Sequence, residues 1–202
     1  MKDQISEKTI PQYSVSLWEI ILILVGAIAL MGVGLIGLGM KMLNNMLNPM
    51  RAEEVAKNLV EYNIQGGSQG VVGVNVGAEK FAIVKSNTNP PDILLFVSKV
   101  PSDRLKDEIP ITLADAVALE DTVSGKFTPN NTSTENQVVC GQKVPVTIQS
   151  GEQTFENHSP LPAILYSAKT TENDFERTVN ILATGKDAKD KAIKVMLSLE
   201  CK

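Results

Sequence analysis

Gly66-Gly67-Ser68-Gln69-Gly70 satisfies G-x-S-x-G, the pattern that presents a serine nucleophile in α/β-hydrolases, and carboxylates and then His158 follow in the chain order of such enzymes. The chemistry on offer would be acyl transfer by Ser68, with His158 as its base. The setting opposes it. A nucleophile elbow runs from a strand into a helix, whereas a helical pattern precedes these glycines and an extended pattern follows them. The segment therefore reads as a helix-to-strand connector, and a serine hydrolase stays only as a minor alternative. His158 is the only histidine and sits in the turn-forming run Asn157-His158-Ser159-Pro160, so it is expected in an exposed loop.

The remaining chemical motifs dissolve in the same way. One histidine and no C-x-x-C give no zinc-ligand set. Gly185-Lys186 lacks the first glycine and the following hydroxyl of a phosphate-binding loop, and reads as a helix start. The acid pairs Glu53-Glu54, Asp107-Glu108 and Glu120-Asp121 project about 100° apart on a helix and do not face each other across a substrate. Among Lys186, Lys189, Lys191 and Lys194, two have an aspartate four residues earlier, Asp187 before Lys191 and Asp190 before Lys194, which predicts a salt-bridged helix surface. Gly32 to Gly37 spells G-x-G-x-x-G, but inside an apolar run, where no strand precedes and no helix N-terminus faces a phosphate. The sequence thus assigns no catalytic, cofactor-binding or metal-ligating residue.

Cys140 and Cys201 carry more information. Ile193, Leu197 and Cys201 are spaced by four on the last helical pattern, and Cys140 is two residues from Val138, so both thiols are expected to point inward. Two readings remain open: a disulfide worth about 4 kcal/mol by chain entropy, or two separate buried thiols.

Composition divides the chain. The whole is 43% hydrophobic with a net charge of -4 and a mean hydropathy of +0.02, yet 22 of the 31 residues from Leu17 to Leu47 are hydrophobic. Residues 20–40 carry no charge and at 1.5 Å per residue span about 31 Å, which matches the hydrocarbon core of a bilayer. Tyr13 and Trp18 before the run and Lys41 after it stand where headgroups would lie. The run exceeds the apolar region of a signal peptide and lacks a small-residue cleavage site, which predicts a retained single-pass anchor. Lysines flank both ends, so charge does not orient it. The cysteines favour a domain on the oxidising, non-cytoplasmic side. The mildly acidic balance gives no reason to expect nucleic acid as a partner. The expected partners are the lipid bilayer through residues 20–40 and an unidentified protein.

The expected organisation is a polar tail at 1–16, the transmembrane helix and its flanks at 17–47, and one α+β domain at 48–202 with a mainly antiparallel sheet and about three helices. Asn48-Pro49 caps and starts a helix whose face is Ala52, Val55, Ala56, Leu59 and Val60, ended by Gly66-Gly67. Strands are predicted at 71–76, 80–86, 93–100, 161–170 and 177–184, with a hairpin formed by 138–140 and 144–148. Thr112 and Asp115 open a short helix through Glu120, 122–136 reads as a polar loop, and a final helix runs from Asp187 to Leu199.

Two resemblances follow. Leu17-Trp18-Glu19-Ile20-Ile21-Leu22 resembles the start of a type IV pilin or pseudopilin, whose membrane helix carries a glutamate at the fifth mature position. That implies a mature start at Val15, preceded by Ser14 where the family has glycine, a membrane helix continuing into the globular part, and a C-terminal disulfide. Ala52-Glu53-Glu54-Val55-Ala56, Gly66 to Gly77, Lys80-Phe81-Ala82, Asp92 to Val97 and Cys140-Gly141-Gln142 resemble a group of bacterial, including cyanobacterial, membrane-anchored proteins of uncharacterised activity. The leading expectation is a membrane-anchored, non-enzymatic domain with a binding or assembly role, with a pseudopilin-like subunit as the alternative.

Overall fold

The computed structural model describes residues 16–103, 125–155 and 158–202. By its internal contacts the chain divides into two units, residues 1–43 and 44–202. The first contains most of α1 (Leu17–Met46). Its stretch from Ile20 to Met46 is long and apolar enough to cross a membrane, and its side chains are unburied. α1 stops at Met46 and α2 (Pro49–Leu59) begins anew. The Asn48 side chain accepts from the Met50 and Arg51 amides at 3.0 and 3.3 Å, and Pro49 occupies the first turn, as the cap pattern predicts. The unbroken helix implied by the pilin resemblance is therefore absent.

Residues 44–202 are α+β. After α2 come β1 (Val60–Glu61), β2 (Ser68–Val76), β3 (Glu79–Ser86), β4 (Ile93–Pro101), β5 (Lys126–Val139), β6 (Gln142–Thr154), β7 (Leu161–Glu172) and β8 (Phe175–Thr184), then α3 (Ala188–Leu197) and β9 (Glu200–Cys201). β2 to β8 form a seven-stranded sheet in the order β2-β3-β4-β8-β7-β6-β5, and every pairing is antiparallel. α2 and α3 contribute Val55, Leu59, Ala192, Val195 and Met196 to the core on one face, against Leu95, Val97, Tyr166, Val179 and Ile181. Ile83, Leu94, Phe96 and Leu182 are buried on the other face. β4 is thus buried on both sides, which is why Ile93 to Val97 is a continuous apolar run instead of an alternating one.

Glycine lets α2 lie close to the sheet. A Cβ on Gly70 would collide with the Pro49 carbonyl oxygen and stand 2.7 Å from the Glu53 nitrogen, and one on Gly73 would come within 2.5 Å of the Ala52 Cα. These two glycines are close-approach positions.

Several expectations need correction. The predicted loop at 122–136 is a strand from Lys126 onward, paired with β6 from Lys126↔Thr154 to Val139↔Gln142. It is polar and aperiodic because it is the sheet edge and nearly all its side chains are exposed, so burial imposes no alternation. The hairpin turn is Cys140-Gly141, not Gly141 to Lys143; φ values of 54° and 73° suit a two-residue turn with both central residues left-handed. α2 ends at Leu59, before the glycines, and Val60 turns extended into β1. The final helix ends at Leu197, and Cys201 belongs to β9, antiparallel to β1 through Val60↔Cys201 and Glu61↔Glu200. The predicted Ile193–Leu197–Cys201 stripe fails because Cys201 lies beyond the helix and the buried face is centred one residue earlier, on Ala192 and Met196. The buried face is Ala188, Ala192, Val195 and Met196, and Leu197 is 79% exposed. Val138, offered as an inward neighbour of Cys140, is 63% exposed. The helix expected from Thr112 to Glu120 lies outside the described residues.

Candidate ligand-binding cleft

The G-x-S-x-G segment carries the chain from the α2 side into β2. Gly66 and Gly67 hold φ of 85° and 88°, which glycine alone adopts freely, to turn the chain into β2. The Ser68 hydroxyl donates to Glu53 Oε1 at 3.0 Å, and Tyr62 lies 3.4 Å from it. With the serine proton committed to Glu53, the Tyr62 phenol is the donor in that second bond. Burial pushes its pKa up, which keeps it protonated. Glu53 also pairs with Lys57 at 3.1 Å. Ser68 therefore faces a carboxylate, a phenol and no imidazole. His158 stands between β6 and β7, its amide donating to the Phe155 carbonyl at 3.3 Å. β2 and β7 are separated by β3, β4 and β8, so strand spacing alone places Ser68 and His158 about 19 Å apart. No hydrogen bond joins them across that span.

Cys140 and Cys201 do come together: their Cα atoms lie 5.0 Å apart, within the range a disulfide requires. Both are half-buried at the edge of the helix-side core. The approach depends on two features absent from the sequence reading, the tight turn that lifts Cys140 and the β1–β9 pairing that holds Cys201.

A cleft of about 570 Å³ opens where the α2-to-β2 connector, the β3–β4 turn and α3 meet. Asn63 and Gln65 line it from the connector, Asp92 and Ile93 from the entry to β4, and Lys191, Lys194 and Val195 from α3 with Ser198 at its C-cap. These last four residues fall at i, i+3, i+4 and i+7, one face of the helix. That spacing is legible in the sequence, but the intrahelical Asp187–Lys191 and Asp190–Lys194 pairs that the Asp-Lys intervals predict are not what forms. Lys191 instead leaves its helix for Asp92 Oδ2 at 2.7 Å and donates to the Thr184 carbonyl at 3.4 Å. Among the described residues no ion pair joins Lys194 to Asp190.

Asp92 is held rigidly. Thr88 Oγ1 donates to Asp92 Oδ1 at 2.9 Å, and the Asp92 amide donates to Ser86 Oγ at 2.9 Å and Thr88 Oγ1 at 3.0 Å. Burial alone would raise the Asp92 pKa; the hydrogen bonds from Lys191, Ser86 and Thr88 outweigh it and hold the carboxyl below its ordinary value. Ser198 is equally committed, donating to the Val195 carbonyl at 2.7 Å and accepting the Asn63 amide at 2.9 Å. Ile93 and Val195 give the cleft an apolar floor. Such a site can bind, but it presents no nucleophile with an adjacent base. Among the described residues no cluster of His, Cys, Asp or Glu could hold a metal ion.

Neither a protein-family model nor a curated protein matches the chain. Solved structures similar to it include the following two. LpqN, involved in cell envelope biogenesis of Mycobacterium tuberculosis, is 12% identical with a TM-score of 0.34 over 74% of this chain and 95% of its own. The cyanobacterial PsbP (CyanoP) of Synechocystis is 14% identical with a TM-score of 0.34 over 72% of this chain and 94% of its own. Neither is a pilin.

Proposed function

We propose that this protein is a single-pass membrane protein whose α+β domain, residues 48–202, binds a partner or supports assembly without catalysing a reaction. The observation that carries the reading is the unburied apolar helix at Ile20–Met46 followed directly by a capped, independently cored unit. The uncharged run at residues 20–40 within that helix is costly to hydrate and fits a bilayer core. The preformed cleft, with Asp92 and Lys191 fixed by each other and no nucleophile–base pair among its lining residues, supports binding over turnover.

Residues 20–40 meet lipid in this reading, and the domain lies on the non-cytoplasmic side. Its support is the approach of Cys140 and Cys201, which we take to be bridged, a state favoured in oxidising compartments. The test is alkaline carbonate extraction of membranes from cells making the full chain, with cross-linking in intact membranes and identification of the neighbours. Retention in the membrane pellet and a reproducible cross-linked neighbour are expected; release into the carbonate supernatant would sink the anchor reading.

A further inference from the structure

The cleft on α3 contains unequal numbers of committed and uncommitted charges. Asp92, its one carboxylate, already accepts from Lys191 and Thr88. Lys191 is neutralised by that contact. Lys194 remains exposed on the same helix face, and its ammonium makes no ion pair or hydrogen bond among the described residues. The cleft therefore holds two ammonium groups against one carboxylate, a surplus of one positive charge in a chain whose net charge is -4.

The neutral groups narrow the ligand further. The Asn63 and Gln65 side chains are exposed at the rim, and each offers an N–H donor and a carbonyl acceptor, the complement of another amide. Ile93 and Val195 below them suit an aliphatic stem. The volume of about 570 Å³ is ample for more than a lone ion.

We propose that this cleft binds a carboxylate carried on an amide-bearing ligand, the chemistry of an acidic residue in a peptide, with Lys194 as counter-ion, Asn63 and Gln65 on the flanking amides and Ile93 and Val195 under the stem. This deepens the binding-domain reading and rests on it. Lys191 is a positioning residue: its bond to Asp92 ties α3 to the β3–β4 turn and leaves Lys194 as the free charge.

The test uses the full chain in detergent micelles, followed by amide NMR. N-acetyl-glutamate N-methylamide is titrated against its neutral glutamine counterpart. Saturable shifts centred on Asn63, Gln65, Lys194 and Ser198 are expected for the acid alone. Lys194→Gln should weaken binding about tenfold or more, and Lys194→Arg should restore most of it. Both substitutions are at an exposed site off the core, and unchanged spectra elsewhere verify folding. A pentapeptide of alternating Glu and Gly separates the two sources. Much tighter binding than the single residue points to a protein segment, and equal binding to a free acylated amino acid; either supports the carboxylate assignment. Equal response to the acid and its neutral counterpart, or unchanged affinity in Lys194→Gln, overturns it. If cross-linking in membranes still captures the same neighbour in Lys194→Gln, the domain binds its partner elsewhere and only the cleft proposal falls.

Discussion

Asp92 illustrates how one side chain can order a site. Its carboxyl titrates below its ordinary value in the folded protein, so the ionised form stabilises the fold. That stabilisation is complete above the unfolded pKa near 4 and is lost as pH falls through the folded value. The group is partly exposed, which limits the effect to about 1 kcal/mol. Denaturant titrations of the full chain should show Asp92→Asn costing about that much at neutral pH, with a flatter loss of stability below about pH 4 than the parent. Ser68 makes the complementary case. Ser68→Ala removes a hydrogen bond to a carboxylate and should cost about 1–2 kcal/mol, leaving any background ester hydrolysis by the purified protein unchanged. A large fall in hydrolysis would return Ser68 to the list of nucleophiles. The glycines around Ser68 were visible in the sequence, but their reason was not: Gly70 is set by a helix that arrives from Pro49 and Glu53.

At the level of elements, that approach has a measurable consequence. Gly73→Ala places a methyl group against the Ala52 backbone, and Gly70→Ala places one against the Pro49 carbonyl. Each should destabilise the domain by about 2–3 kcal/mol in thermal or urea unfolding, because α2 must lift from the sheet to admit the atom. Gly77→Ala, where nothing lies within 4 Å of the added Cβ, meets no such contact; its φ of 59° brings only the smaller cost of a left-handed alanine. β4, β7 and β8 were readable because burial imprints apolar runs or alternation on them. β5 was not. It is ordered by backbone pairing to β6 at a sheet edge, a bond pattern indifferent to side-chain type. The same hairpin delivers Cys140 to Cys201, which closes a loop with a sequence separation of 61. A bridge there should contribute about 4 kcal/mol. Reduction, or Cys140→Ser with Cys201→Ser, should lower the unfolding free energy by about that amount. Thiol labelling of unfolded, unreduced protein should find no free thiol; two labelled thiols would discard the bridge.

The whole molecule joins two populations of residues that its near-zero mean hydropathy of +0.02 conceals. If α1 is the sole anchor, a chain beginning at Asn44 should fractionate with soluble protein while the full chain stays in the carbonate-washed pellet. A membrane-bound truncation would show that the domain carries its own lipid contact. The sequence by itself determined the apolar helix, the Asn48–Pro49 restart and the buried strands. Those properties are written within a turn or a few alternations, as periodicity, caps and local residue type. Only the tertiary structure decided that Lys191 pairs with Asp92, that Asn63 and Gln65 overlook Lys194, that 126–139 is a strand and that Cys140 meets Cys201. The lysine, amide and cysteine partners lie 61 residues apart or more, and no local pattern specifies which of them will meet once the sheet order β2-β3-β4-β8-β7-β6-β5 brings them together; 126–139 pairs locally with β6, but its exposed side chains carry no strand pattern.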